Sequence, residues 1–183
     1  MKQRKIMDTS TLAKAGFLTA LSIVLTRFFY FFLPIAGLAN TLRISFGELP
    51  IMVAGLLFGP IVGGISGVAA DVIGVLINSQ GAFHPGFTLS SMLWGVIPGL
   101  LGSLYIRNRS YKEAYSFKNV FLAVSISFIV ISIGLNTLWL STMMGKGYIV
   151  LLPGRAIGAI VNIPIQSIIM TTLLKHLKSF AKM

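Results

Sequence analysis

The sequence predicts an all-α integral membrane protein with six transmembrane helices and cytoplasmic N and C termini. Three observations predict this class. Of the 183 residues, 55% are hydrophobic and only 10% are charged, whereas soluble globular domains carry about 25% charged residues. The charges lie between long uncharged stretches, and about 20 apolar residues cross a bilayer core. Finally, if the apolar stretches cross a membrane, most Lys and Arg residues lie on one side of it.

The apolar stretches and their breaks predict a single transmembrane domain, residues 1–183. The first stretch, 15–33, is too long for the hydrophobic region of a cleavable signal peptide, so we expect it to remain as a span. Phe58-Gly-Pro60 separates the second and third helices because proline donates no backbone hydrogen bond. Two Gly and one Pro predict a loop at 78–86. The predicted helices are 11–33, 46–59, 61–78, 87–106, 118–141 and 153–176.

The positive charges predict the orientation. With six spans both termini lie on one side, together with the loops after the second and fourth helices, and that side holds 11 of the 15 Lys and Arg residues. We therefore expect that side to be cytoplasmic. The outer side holds Arg27, Arg43, Lys146 and Arg155. The net charge of +11 thus mainly reports orientation in a cell membrane, and no nucleic-acid partner is expected.

Several kinds of chemistry are excluded by the residues themselves. There is no cysteine, so no disulfide or Cys-based metal site can form. His84 and His176 are predicted on opposite sides of the membrane, which disfavours a zinc site. Gly145-Lys146 lacks the other residues of a P-loop, since Leu140 replaces a Gly and Gly147 replaces the Ser or Thr. We expect no catalytic residues, no metal and no ATPase activity, so active transport would need an ion gradient or another subunit.

Small residues recur at helical spacing in the first and third helices. Gly16 and Ala20 are four residues apart, as are two pairs in the third helix, 63 with 67 and 70 with 74. Such pairs allow close approach of helix backbones. Packing within the bundle is one interpretation for each pair. For Gly16 and Ala20 the other is a docking surface for a partner membrane subunit.

The outer half of the bundle gathers polar and aromatic residues, as expected of a small-molecule site. Outer cations favour an anionic solute, and Arg can hold a carboxylate bidentately. Alternatives stay open: Asp71 as a structural acceptor, Arg27 reaching to the interface, and Trp139 as an interfacial residue. Asn162 and Gln166 share one face of the sixth helix. The candidate ligand-binding residues are Arg27, Glu48, Asp71, Asn78, His84, Trp94, Asn136, Trp139 and Arg155.

Three stretches carry a resemblance to a known family. They are LRISFGELPIMVAGLLFGPIVGGISGVAADVIG (42–74), GAFHPGFTLSSMLWGVIPG (81–99) and LNTLWL (135–140), with LLPGR at 151–155. Together they resemble the substrate-binding S components of energy-coupling factor (ECF) vitamin transporters. The FGELP and FGP motifs are common to S components, and PGFTLS, LWG, LNTLWL and LLPGR are similar to the folate group.

The resemblance implies a six-helix membrane subunit that binds its vitamin from outside. It implies a transmembrane T component and two cytoplasmic ATPases as partners, and toppling of the S component in the membrane. The family's docking motif matches Gly16 and Ala20, although its first position is usually Ala. Folate itself is the implied ligand, without a cofactor. Its carboxylates suit Arg27, Arg155, His84 or Lys146, and its flat pterin suits a stack on Phe83, Trp94 or Trp139 with Asn78, Asn136, Glu48 or Asp71 at its edge.

Three other interpretations are compatible with the topology. The chain could be an S component for another vitamin or for a modified-base precursor, with the same helices and a different pocket. A membrane-embedded enzyme is disfavoured because no pair of ionisable residues forms an acid/base or metal site. A structural membrane subunit would not need the outer polar residues.

Overall fold

The computed structural model describes residues 8–35, 38–79, 82–106 and 111–177. Most of the described chain is helical, and one antiparallel pair of strands follows the first helix. The helix 117–144 is continuous but contains a π-helical segment at Phe128–Asn136. In order, the elements are α1 (Thr9–Phe28), β1 (Tyr30–Ile35), β2 (Leu38–Ser45), α2 (Glu48–Phe58), α3 (Pro60–Ile77), α4 (Pro85–Ile106), α5 (Tyr111–Ala114), α6 (Phe117–Ser127), the π segment, α7 (Thr137–Met144) and α8 (Tyr148–His176).

Six helices form the membrane bundle, as the sequence predicts. In the described part of the chain, five are long and apolar enough to cross a bilayer: α1, α3, α4, the continuous helix 117–144, and α8. The sixth, α2, is apolar but has only 11 residues. At about 1.5 Å per residue it is too short to cross the hydrocarbon core alone. It is instead packed inside the bundle, where residues 49–56 are buried.

The first loop differs from its prediction. The first helix ends at Phe28 rather than at residue 33, and β1 pairs with β2 in a hairpin within the segment predicted as helix end and loop. Tyr30, Phe31 and Phe32 explain the difference, because a short aromatic run favours a strand as readily as a membrane helix. The prediction that the first helix continues to residue 33 is therefore wrong, whereas the all-α class of the bundle is confirmed. β2 packs against α8.

The last two helix boundaries also differ. The fifth predicted helix continues to Met144, and α8 begins at Tyr148, five residues before the predicted start. The predicted helix 153–176 starts at Pro153, but Pro153 lies inside α8, as does Pro164. Membrane helices tolerate internal proline because neighbouring groups bind the freed carbonyl oxygens. Seven of the cations used to predict the orientation lie outside the described residues, at positions 2, 4, 5, 107, 109, 178 and 182.

Glycines bring α2, α3 and α4 into backbone contact. A side chain at Gly95 would overlap the Gly63 carbonyl oxygen, and one at Gly67 would overlap the Ser91 carbonyl oxygen. The small residues of α3 therefore pack within the bundle, which is the interpretation that the sequence indicated for them. Gly74 makes room for the Arg27 side chain, since a Cβ there would lie 2.6 Å from Arg27 Nε. Helix α3 therefore both packs closely against α4 and leaves space for Arg27 of α1.

Two tyrosines close the opposite end of the bundle, which the charge distribution predicts to be cytoplasmic. Tyr115 Oη donates to the Leu56 carbonyl oxygen at 2.7 Å, and Tyr111 Oη donates to the Leu174 carbonyl oxygen at 2.9 Å. Both acceptors belong to the last turns of helices, where carbonyl groups lack intrahelical partners. Burial raises the pKa of Tyr115, with a further contribution from Tyr111, so the phenol stays a neutral donor.

Candidate ligand-binding cavity

A cavity of about 460 Å³ opens between the helices at the end of the bundle that carries residues 78–79, 82–84 and 145–147. This volume falls in the range of small-molecule sites, about 300–1,000 Å³. Its rim is exposed, with Phe83 59% exposed and Lys146 also at the surface. Its floor is formed by Trp94, which is 5% exposed. The cavity therefore passes from an exposed, cationic rim to a buried, aromatic floor.

An ion pair between α1 and α3 forms one wall. Arg27 is only 8% exposed, and its Nη2 lies 3.4 Å from Asp71 Oδ1. The helix boundary explains the position of Arg27, which lies in the last turn of α1. Because both residues line the cavity, the cation is held at the wall rather than extended to the membrane interface.

Three further hydrogen bonds fix this wall. Thr88 Oγ1 of α4 donates to Asp71 Oδ2 at 2.7 Å. Arg27 Nη1 donates to the Asn78 carbonyl oxygen at 3.2 Å, and Asn78 Nδ2 donates back to the Arg27 carbonyl oxygen at 3.4 Å. Asp71 thus has the structural role that the sequence left open, and it also faces the cavity. Thr88 was not singled out from the sequence, because a hydroxyl in an apolar helix carries no signal of its partner.

The residues around the rim pack against one another. The rings of His84 and Trp139 lie 5.5 Å apart between centroids, at a tilt of 37°. A Cβ at Gly86 would lie 2.5 Å from Trp139 Cδ2, so glycine is needed where the indole crosses the start of α4. His84 Nδ1 accepts from the Gly86 amide at 3.1 Å. Trp139 therefore holds residues 84–86 against α7, and it borders the cavity without lining it.

A smaller, polar annex of about 60 Å³ adjoins the floor. Four residues line both spaces: Glu48, Trp94, Asn136 and Arg155. Trp94 is fixed there by an edge-to-face contact with Phe128, with ring centroids 4.9 Å apart. Asn162 and Gln166 of α8 line only the annex, at 3% and 1% exposure. The polar face that the sequence indicated on the last helix therefore lies below the main cavity.

Four buried polar atoms around these spaces have no hydrogen-bond partner among the described residues. They are Ser90 Oγ, Asn136 Oδ1, Trp139 Nε1 and Gln166 Oε1. Buried polar atoms in folded proteins are nearly always hydrogen-bonded, to protein or to water. A cluster of them at one cavity indicates a place where a ligand or solvent completes the bonding.

Most of the predicted site residues come together. Seven line the cavity, namely Arg27, Glu48, Asp71, His84, Trp94, Asn136 and Arg155. Asn78 and Trp139 do not line it, although each contacts a residue that does. Phe83 and Lys146 line the rim, whereas Arg43 lies in β2 with its side chain outside the description. In the described part of the chain no cluster of His, Asp and Glu could hold a metal ion.

The second predicted surface is a groove on the membrane face of α1 and α3. Gly16 and Ala20 line it together with Leu12, Ile23 and Ile65, and the space measures about 620 Å³. Among the described residues, nothing lies within 4 Å of the position that a Cβ of residue 16 would take. The small residues of α1 therefore do not pack inside the described bundle, unlike those of α3.

Comparison with known proteins gives the family. The model of the family described as "ECF transporter, substrate-specific component" matches residues 10–174. The chain belongs to this family of S components. A relative from Clostridium novyi (strain NT), described as "Folate transporter FolT", is 36% identical over 154 residues, which cover 84% of this S component and 81% of the relative.

Solved structures of S components have the same fold. "Crystal structure of FolT bound with folic acid" aligns with a TM-score of 0.76 at 31% identity and covers 93% of this chain and 96% of that one. "Structure and mechanism of the S component of a bacterial ECF transporter" aligns with a TM-score of 0.68 at 27% identity, over 97% and 100% of the two chains. The resemblance found in the sequence is confirmed, and this S component is a multi-pass protein of the cell membrane.

Proposed function

We propose that this S component binds folate from the outer side of the membrane and delivers it through an ECF importer. The observation that carries the proposal is a single cavity with cationic side chains at one end and a buried tryptophan beside unpartnered polar atoms at the other. Folate has the matching polarity, with two carboxylates on its glutamate tail and a flat pterin with donors and acceptors on its edge. The likeness to relatives described as folate transporters supports the same ligand.

The glutamate tail belongs at the rim. Arg27 is the leading partner of a carboxylate because its planar guanidinium can donate two parallel hydrogen bonds. Lys146 adds a second cation at the rim. His84 lies beside them and, with Nδ1 engaged by Gly86, has its other ring nitrogen for a ligand oxygen. Arg27 is only 8% exposed, so water screens its charge less than that of the exposed Lys146.

The pterin belongs at the floor. Trp94 is the leading stacking partner, since its ring is held in place by Phe128 and faces both spaces. Phe83 at the rim and Trp139 behind it complete the aromatic set around the ligand. Asn136 and Glu48 line the floor and can bind the donor edge of the ring. Asp71 and Asn78 act mainly by holding Arg27.

The energy for uptake comes from partners, not from this subunit. We propose a transmembrane T component and two cytoplasmic ATPases as those partners, because an S component without a P-loop cannot hydrolyse ATP itself. The groove at Gly16 and Ala20 is the proposed docking surface for the T component. Small residues there permit close helix packing in lipid. The subunit is accordingly a binding protein and not an enzyme.

Purified protein tests the ligand directly. A tightly held pterin should remain bound through purification without added vitamin and should absorb in the near ultraviolet. After removal of the ligand, titration calorimetry should give high affinity for folic acid and none for riboflavin, thiamine or biotin. Preferential binding of one of those vitamins, or binding of none, would overturn the proposal. The first result would indicate an S component for another solute.

A further inference from the structure

The annex beneath the cavity has an unusual composition for a space inside a membrane protein. Apart from Trp94, Phe128 and two glycines, its lining is polar, and it includes Gln166, Asn162 and Asn136. Polar groups at membrane depth are costly unless they are paired or serve a function. Asn162 is paired, since its Nδ2 donates to the Gly158 carbonyl oxygen at 2.8 Å. Gln166 and Asn136 each keep an oxygen with no partner in the described structure.

The contacts of Gln166 determine which end of its amide faces the annex. Its Nε2 donates to the Ser45 carbonyl oxygen at 3.0 Å, at the end of β2. That bond fixes the amide, so Oε1 is the atom left in the annex. Gln166 is only 1% exposed, so bulk water does not supply a hydrogen bond to its Oε1. Asn136 Oδ1 is likewise an acceptor, so the annex presents two amide oxygens to whatever enters it, beside the Glu48 carboxylate.

We propose that Gln166, together with Asn136, is a specificity-determining residue that accepts hydrogen bonds from the donor edge of the ligand's heterocycle. This inference rests on the proposed function. The 2-amino-4-oxo edge of a pterin offers the 2-amino group and the N3–H as adjacent donors, which match these two acceptors. Gln166 lines only the annex and Asn136 lines both spaces, so Gln166 Oε1 pairs with the 2-amino group and Asn136 Oδ1 with N3–H. A heterocycle with carbonyl groups in place of those donors would face them oxygen to oxygen.

The proposal also fixes the direction of the ligand. With the ring edge in the annex and the ring against Trp94, the tail extends toward the rim. The two arginines then have different roles, because Arg155 borders the annex and Arg27 does not. Arg27 binds the tail, and Arg155 lies at the ring end, where it can donate to the 4-oxo group.

The test compares two ligands on Gln166→Leu and on wild type. The ligands are folic acid and its analogue in which methyl replaces the 2-amino group. Loss of one neutral hydrogen bond should weaken folic acid by about tenfold, whereas binding of the analogue should change by less than about twofold. Gln166→Met gives the same comparison, should Gln166→Leu fail to fold. Asn136→Leu should weaken both ligands, since the analogue keeps N3–H. Ser167→Ala is the control, since Ser167 Oγ bonds within α8 to the Ile163 carbonyl oxygen.

Equal weakening of both ligands by the Gln166 variant would overturn the inference, because a loss of Gln166's bond to Ser45 would affect them alike. Unchanged affinity for folic acid in both variants would overturn it too. Either result leaves folate binding by the wild-type protein intact. Failure of the wild-type protein to bind folic acid is a different outcome, and it would overturn the proposed function before any variant is compared.

Discussion

Arg27 and Asp71 join the end of α1 to the middle of α3, with 3.4 Å between Nη2 and Oδ1. Both side chains are largely buried, at 9% and 13% exposure, and both line the cavity. A buried charge is stable only with a counterion and hydrogen bonds. The pair therefore holds a cation ready at the cavity wall, and a bound carboxylate would share it.

Asp71→Asn should reveal this sharing. Without the carboxylate, Arg27 loses this counterion, and we expect the ligand-free protein to lose on the order of 2–3 kcal/mol of stability. The loss should be smaller than for an ion pair shielded completely from water, because this cavity is open to water. Saturating folic acid should restore part of this stability by supplying a carboxylate. Thermal unfolding in detergent, with and without folic acid, measures both effects. Glu113→Gln, at an exposed position of α5, is the control, and an equal loss with and without ligand would refute the sharing.

Arg27→Ala and Arg155→Ala should weaken folate binding in different ways. Each loses charged hydrogen bonds, so we expect about a tenfold to hundredfold loss of affinity for folic acid. 6-Hydroxymethylpterin, which keeps the ring and has no carboxylate, separates the two. Arg27→Ala should bind it as the wild type does, and Arg155→Ala should bind it more weakly. Titration calorimetry decides, and wild-type affinity for folic acid in both variants would remove the arginines from the site.

Gly16→Leu and Ala20→Leu should block assembly without affecting ligand binding. Both positions are exposed, and no atom lies within 4 Å of a Cβ at Gly16, so the fold should tolerate the larger side chains. Close helix contact with a T component would be lost. Co-purification with the T component and ATPases measures assembly. Leu21→Phe, at an exposed position of α1 outside the groove, should assemble normally. Full assembly of both groove variants would exclude this surface.

Tyr115→Phe should destabilise the end of the bundle opposite the cavity. The variant leaves the Leu56 carbonyl oxygen without the hydroxyl that binds it at 2.7 Å, which costs about 1–2 kcal/mol. Burial raises the pKa of Tyr115, so its neutral form is favoured by folding. Its contribution is complete below the ordinary tyrosine pKa and is lost as the pH rises above it. Thermal unfolding near neutral pH should therefore show the difference, with folic acid affinity unchanged. A variant as stable as wild type would contradict the role of this bond.

The membrane class could be predicted from the sequence because hydropathy and charge are local properties. Six apolar segments and their cations do not depend on how helices pack, and the resemblance in 42–74 and 81–99 identified the family. The hairpin at 30–45 was missed because an aromatic run fits a strand and a helix alike. The start of α8 was missed because proline inside a membrane helix needs tertiary partners that a sequence does not display.

The candidate site, too, could be predicted from the sequence only in part. Polar residues at membrane depth are conspicuous in an apolar sequence, so Arg27, Asp71 and Asn136 could be named from composition and position alone. Only the tertiary structure decided what each one contacts. Thr88 binds Asp71, and Gln166 binds Ser45 across 121 residues of chain. Such pairings depend on the rotation and depth of each helix in the bundle, which are set by packing among all the helices and not by any one segment.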